Sequence, residues 1–300
     1  MSLNILVIND CISEGSSYQN MAGVAKHSEH HIRINVWQAK EEDLKWCDLA
    51  YVHYGGIGAW DKLLEQVKFR RDLKWILGVR GNTNFKRISF HRNRKRVMVW
   101  FSRLFDAYSC ANKDIQMRLS EYDNKPCYLC TAGADPDFFK VRPKPEEFRV
   151  GWVGVYLPGI KNTDKLKELD YPIYYTHQSS LAKNDWIPHR IMPEYYKQLS
   201  VLVVPSAEEG SPMPPVEAGM MGIPTVATRV GNLEDWMPDE LLIPRDFQPK
   251  EMNEILHKLE TDPTFYDLCS SLCYQGAMRY TFENVAKQYD EMFTDVYKEG

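Results

Sequence analysis

The chain has 300 residues, of which 44% are hydrophobic and 26% charged, with a formal net charge of −4 and seven cysteines. That length suits two domains of ordinary size, and the slight acidity gives no global attraction to nucleic acid or to anionic membrane. No run of about 20 apolar residues is present, so no transmembrane helix is expected.

The opening, MSLNILVIND, lacks a basic stretch ahead of a long apolar core, so it reads as a first buried strand and not as a signal peptide. The cysteines at 11, 47, 110, 127, 130, 269 and 273 are scattered and odd in number, which points to a reduced, cytoplasmic protein. Cys127 and Cys130 form a C-x-x-C inside an apparent strand. Side chains three apart on a strand face opposite sides, so the pair reads as buried thiols, and no metal site is expected.

After the first strand, Asn4 to Asn9, the small residues Gly15, Ser16 and Ser17 precede a helix. Such a turn at a strand's C-terminal end either approaches a ligand closely or is an ordinary loop. It is not a G-x-G-x-x-G fingerprint, so a nicotinamide site is not supported. Strands follow at Ile32 to Trp37, Leu49 to His53 and Trp75 to Val79, with a helical pattern over Ala59 to Phe69. This alternation predicts a parallel sheet covered by helices. His53 and the Arg80-Gly81-Asn82 entry stand at strand ends, on one rim of that sheet. His53 reads as a cleft residue or a satisfied structural histidine. Arg80 reads as a holder of a ligand hydroxyl or phosphate, or as half of a rim salt bridge. The segment Lys86 to Arg96 carries six cations and no acid. It is either a solvated face or a contact to an anionic acceptor or membrane surface.

A strand over Phe105 to Ala111, a helix over Lys113 to Tyr122 and the strand at Cys127 to Cys130 complete the first half. Val141 to Pro145 is polar and proline-punctuated, as linkers are, and places a boundary near residue 147. A strand at Arg149 to Gly154, a loop with Lys161, a strand at Ile173 to Thr176 and a helix at Pro193 to Leu199 lead to the most informative stretch. There Val201 to Val204 is a buried strand, Ser206 to Gly210 a polar loop, Pro214 and Pro215 open a short helix, Gly222 ends it, and Thr225 to Thr228 is the next strand. Glu209 sits in the loop. Glu217, eight residues on, is expected in the first helical turn, near the positive end of the dipole. Amides at that helix start are expected to seat a phosphate. Helices are expected over Glu251 to Leu259, Asp262 to Arg279 and Thr281 to Tyr297.

The run PSAEEGSPMPPVEAGMMGIPTVAT resembles the E-x7-E signature of family 4 retaining glycosyltransferases, which have the GT-B fold: α/β, with two Rossmann-like domains facing a central cleft. The match falls on Pro205, Ser206, Glu209, Gly210, Pro214, Glu217, Ala218, Gly222, Pro224 and Val226. Ala132-Gly133-Ala134-Asp135 resembles the N-G-V-D segment that ends the family's first domain, and Gly231, Asn232 and Glu234 its G-G-x-x-E. The resemblance implies a nucleoside diphosphate sugar as donor substrate, no other cofactor, and an acceptor bound by the first domain. It implies that Glu209 contacts the donor sugar, that Lys161 clamps the diphosphate and that Glu217 binds the ribose. Gly154, Gly210, Ser211, Pro212, Met213 and Val216 would line the donor. Gly15, Ser16, His53, Arg80 and Asn82 would face the acceptor cleft. Two positions depart from the pattern: Pro212 stands where the family has a second glycine, and Val155 where it has an arginine. The expected division is 1–147 for the acceptor side and 148–283 for the donor side, with a helix at about 284–300 packing back on the first domain. Two rivals remain: a GT-B epimerase or phosphorylase-like enzyme, and a catalytically silent nucleotide-sugar-binding module.

Overall fold

A computed structural model of the chain describes residues 1–9, 15–53, 66–67, 70–81, 103–121, 124–154, 159–176 and 187–299. Asn82, Val155, the Lys86 to Arg96 segment and nearly all of the Ala59 to Phe69 helical pattern lie outside the described residues. The chain divides into two units, residues 1–133 with 282–300, and residues 134–281.

The first unit is built on a six-stranded sheet of order β2-β1-β3-β4-β5-β6, all parallel. Its strands are β1 (Asn4–Asn9), β2 (His31–Val36), β3 (Leu49–His53), β4 (Lys74–Val79), β5 (Ala107–Cys110) and β6 (Cys127–Leu129). Helices α1 (Ser16–His27), α2 (Glu41–Trp46) and α3 (Lys113–Ser120) connect them. The three strands β1, β3 and β4 are buried nearly throughout, which is why they read as continuous apolar runs and not as alternating ones. Chain order reverses between β1 and β3, where Asn9 pairs with His53 at the C-terminal ends.

The last helix, α8 (Phe282–Lys298), belongs to this unit. It buries Phe282, Val285, Ala286, Tyr289, Met292, Phe293 and Val296, the i, i+3, i+4, i+7 stripe of an amphipathic helix. Asn20 of α1 donates to the Tyr289 hydroxyl at 3.2 Å. At Gly23 an added Cβ would meet the Phe282 ring at 2.4 Å, so only glycine lets these helices approach. The terminal helix thus groups with residues 1–133.

Two expectations are corrected here. The boundary lies at 133/134, not near 147, because Ala134 and Phe139 pack into the second core and Arg142 donates to Leu199 O. Cys110 and Cys127 form a disulfide, while Cys47, Cys130, Cys269 and Cys273 are free. The two cysteines lie on neighbouring strands, an adjacency that a scan for C-x-x-C spacing does not see. The composition argument for a reducing compartment loses its premise.

The second unit carries a five-stranded parallel sheet of order β11-β10-β9-β7-β8. These are β7 (Val150–Trp152), β8 (Ile173–Tyr175), β9 (Val201–Val204), β10 (Thr225–Thr228) and β11 (Leu242–Ile243). Helices α4 (Met192–Tyr196), α5 (Met213–Met220), α6 (Pro249–Thr261) and α7 (Pro263–Ala277) complete it. Their core gathers Trp152, Tyr196, Val216, Met220, Trp236 and Leu256 around β9 and β10. From β7 the chain steps to β8 on one side and then to β9 on the other. The reversal lies between β7 and β9, and a crevice outside the carboxyl ends of strands at such a point is where open α/β sheets bind ligands.

Candidate functional site

The topological reversal brings the loop after β7 beside the loop after β9. Two hydrogen bonds join them: Ala207 N–H donates to Ile160 O at 2.7 Å, and the Asn162 side-chain amide donates to Pro205 O at 2.9 Å. Asn162 has φ +45°, in the left-handed region that asparagine tolerates better than most residues. On the far side, the Thr228 hydroxyl of β10 donates to Ser206 O. Gly231 follows at φ +64°, and a Cβ there would lie 2.5 Å from Gly210 O. Glycine is required at that point twice over, by dihedral and by space.

Lys161 and Glu209, the two groups implied to do the chemistry, meet in this crevice as an ion pair. The Ser206 hydroxyl donates to the same Glu209 oxygen at 2.8 Å. Both side chains are mostly buried, with 23% and 12% of their surfaces exposed. Gly154 lies at the start of the β7 loop, where a Cβ would meet the Trp152 ring at 2.9 Å. Gly210 is buried, and Ser211 and Pro212 are half-buried at the entry to α5.

Helix α5 departs from expectation in three ways. Its first turn contains no acidic residue; Glu217 starts the second turn, because the helix begins at Met213. Val216 is fully buried in the core, and Met213 is buried as well. Pro214 and Pro215 are helical and Pro212 is the N-cap. Proline has no N–H, so of the first four helical residues only Met213 and Val216 supply amide donors. The helix end is a weaker anion seat than its position suggests, and more of any diphosphate's charge falls to Lys161.

Glu217 is 3% exposed. The Tyr196 hydroxyl donates to Oε2 at 2.7 Å, and His189 Nε2 lies 3.1 Å from Oε1. Burial, with the carboxylate adding to it, pushes the Tyr196 hydroxyl well above its usual range, so it stays protonated as a donor. The sequence reading missed His189 and Tyr196. Their separation of seven residues, two turns, was the available signal.

In the first unit the rim residues are engaged differently. Gly15 is the N-cap of α1 at φ −79° and Ser16 its first residue, so this glycine is not selected by a left-handed dihedral. The Ser17 hydroxyl donates to the Asn9 side chain at 2.7 Å. His53 is 2% exposed and its Nδ1 lies 2.8 Å from the Tyr51 hydroxyl, which makes it the satisfied structural histidine. Burial, with the Arg80 charge nearby, holds its pKa well below the usual value. Among the described residues Arg80 forms no salt bridge. Its guanidinium turns inward and donates to Cys130 O, in the field of Tyr289, Tyr51 and Cys130.

Among the described residues no group of three or more His, Cys, Asp or Glu could hold a metal ion, and no helix is long and apolar enough to cross a membrane.

Residues 141–262 match the family model "Glycosyl transferases group 1". Over 108 residues the chain is 30% identical to D-inositol 3-phosphate glycosyltransferase of Corynebacterium urealyticum, covering 35% of this chain and 26% of that protein. The chain thus spans about a quarter of that relative's length. Among solved structures, sucrose-phosphate synthase of Thermosynechococcus elongatus superposes with a TM-score of 0.76 at 12% identity, covering 99% of this chain and 100% of that one. Anabaena HepE in complex with UDP-glucose gives 0.75 at 13% identity, covering 98% and 100%. With its two parallel sheets, the chain has the GT-B fold.

Proposed function

We propose that this protein is a retaining glycosyltransferase of the family 4 type, moving a sugar from a nucleoside diphosphate sugar to an acceptor hydroxyl without a metal. The observation that carries the reading is the Lys161–Glu209 pair at the β7/β9 reversal, inside the stretch that matches group 1 glycosyl transferases. A cation and a carboxylate held together are matched to the two ends of such a donor. The diphosphate takes Lys161, and the freed Glu209 accepts hydrogen bonds from sugar hydroxyls, with Ser206 alongside. A Lys ammonium aimed at the leaving diphosphate stabilises charge where it develops. Glu217 receives the ribose. UDP-hexoses are the first donors to test, because HepE was solved with UDP-glucose.

In the transfer step the bond from C1 to the diphosphate oxygen breaks, and a bond from C1 to the acceptor oxygen forms on the same face. The acceptor's proton passes to the leaving diphosphate, so no protein base is required. The acceptor is anionic on this reading if Lys86 to Arg96 contacts it, a lipid-linked glycan or nucleic acid being the two candidates. The site of action is the cytoplasm or the face of a membrane.

The test is release of nucleoside diphosphate from a panel of UDP, GDP and ADP sugars, with and without acceptor mixtures, followed by NMR of the anomeric centre. Transfer with retained configuration is expected. Glu209→Gln should keep nucleotide affinity while losing most turnover; undiminished turnover removes Glu209 from the mechanism. A second reading, a module that binds nucleotide sugar without turning it over, is favoured by the three prolines at the start of α5. Binding with no turnover of any donor selects it, and acceptor-independent hydrolysis or epimerisation selects the enzyme of different chemistry.

A further inference from the structure

A carboxylate buried as deeply as Glu217 has lost most of its water and must be held by protein donors. Its two oxygens are held separately, by Tyr196 on Oε2 and by His189 on Oε1. A carboxylate only accepts, so Nε2 of His189 carries the proton. Both donors come from one short segment, a 3-10 turn at His189–Ile191 running into α4. The seven-residue spacing sets them on one face, so the segment acts as a two-pronged clamp.

The clamp is itself fixed. Tyr196 is fully buried, and Phe139 packs against its ring at 6.0 Å. The His189 imidazole stacks on Phe138 at a centroid separation of 5.6 Å and 24° between planes, and meets the edge of Phe139 at 5.6 Å and 75°. The imidazole has little rotational freedom while these rings enclose it. With one donor on each oxygen, the plane of the Glu217 carboxylate is set. A carboxylate has about four lone-pair sites. Two are used here, one on each oxygen, so one on each oxygen remains. Two adjacent acceptors of that kind suit two adjacent hydroxyl donors, as in the ribose of a nucleotide.

We propose that His189 is a positioning residue of the donor site, acting with Tyr196 to aim the Glu217 carboxylate at the ribose diol. This rests on the reading of Glu217 as the ribose ligand. Hydrogen bonds to a charged group are the strong ones, so the effect of losing one falls on how well the diol is recognised.

The test measures, by isothermal titration on the full chain, the affinity for a nucleoside diphosphate and for its 2′,3′-dideoxy analogue. The nucleotide is whichever of UDP, GDP and ADP the wild type binds most tightly. Wild type is expected to prefer the natural ribose by roughly tenfold or more, the size of about one charged hydrogen bond. His189→Leu should bring that preference down toward one while leaving the dideoxy affinity nearly unchanged. His189→Gln, which keeps an N–H donor, should recover most of it, and Tyr196→Phe should lower it. A purely structural histidine would weaken both ligands alike. Equal weakening, or an undiminished preference in His189→Leu, overturns the proposal. Glu217→Ala separates the two layers: if it retains the ribose preference, the assignment of Glu217 to the ribose fails. If Glu217→Ala loses the preference while His189→Leu keeps it, only the role of His189 fails. No binding of any of the three nucleotides by wild type overturns both. Should His189→Leu not fold, as a thermal melt would show, the Gln and Phe variants carry the comparison.

Discussion

The two sheets reverse their strand order in the same way, and the polar residues at the two reversals have opposite fates. At β7/β9, Lys161 and Glu209 come from different loops and hold each other; the Ser206 hydroxyl also donates to Glu209, and the Asn162 side chain ties the two loops by donating to Pro205 O. At the first sheet, His53 is bound by Tyr51, and Arg80 turns inward to Cys130 O. Polar residues after the strands thus pair across two loops in the second unit, whereas in the first His53, at the end of β3, and Arg80, after β4, bind groups within their own unit. The difference follows from what lies behind the strand ends. In the second unit, short loops fold over the sheet edge and keep the charges between them. In the first, the buried phenols of Tyr51 and Tyr289 lie beside the two side chains.

Replacing Lys161 by methionine should break the comparison most sharply. If its ammonium faces the leaving diphosphate, kcat should fall by ~10²–10³, the size seen when one preorganised charge-stabilising donor is removed. Steady-state kinetics with the donor found in the screen checks this, and a thermal melt within a few degrees of wild type shows that the fold survives. A loss of stability with unchanged kcat would place Lys161 in the framework class, beside Arg80.

The next effect concerns the first unit. The Cys110–Cys127 disulfide closes a loop of sequence separation 17. In the chain-entropy account a loop of roughly 15 residues is worth about 3 kcal/mol. Alkylation in denaturant without reductant should leave two of the seven cysteines unmodified, and Cys127→Ser should lower the unfolding midpoint without changing donor affinity. Seven reactive thiols in the unreduced protein would refute the bridge.

How much of this was legible in the residues depends on the range of the interaction. Strands β1, β3, β9 and β10 were read with the bounds they have, because a fully buried parallel strand is a short apolar run with turn residues at both ends. The α5 region was legible for the same reason, together with its glycine stop. Glu217 falls one turn later than expected, since three prolines within the four residues 212–215 do not announce which of them is the N-cap. The domain boundary was misplaced because VRPKP has the composition of a linker, whereas Phe139 and Arg142 bind the second unit. The inward turn of Arg80, the disulfide and the His189–Tyr196 clamp all depend on contacts between segments distant in sequence. Local pattern does not specify those contacts; the seven-residue spacing of His189 and Tyr196 is the one local sign among them.

Gly231→Ala tests whether the crevice at the β7/β9 reversal owes its shape to backbone space. The substitution asks an L-residue to adopt φ +64° and puts a methyl 2.5 Å from Gly210 O and 3.2 Å from Glu209 Cβ. A strained dihedral of this kind costs on the order of 1–3 kcal/mol, so a lower unfolding midpoint is expected. Because the obstruction falls on the Glu209–Gly210 loop, donor KM should rise along with it. A stability loss with unaltered KM would mean that the loop relaxes away from the methyl without disturbing the crevice.

The smallest expected effect is a dependence on pH that the framework histidine imposes. His53 titrates well below its ordinary value in the folded chain, because burial disfavours the charged ring and Arg80 adds to that. In the unfolded chain it takes up a proton near pH 6.5. Below that pH the unfolded state binds more protons than the folded one at this site, so stability rises with pH there. The contribution is complete above about pH 6.5 and is lost progressively as pH falls toward the depressed folded value. Unfolding midpoints taken from pH 7.5 down to pH 5 should therefore fall more steeply for wild type than for His53→Gln, although the variant starts lower because the Tyr51 hydroxyl loses its partner. Parallel slopes would mean that His53 is protonated in the fold, and its place would then be on the rim with the ligand-facing residues.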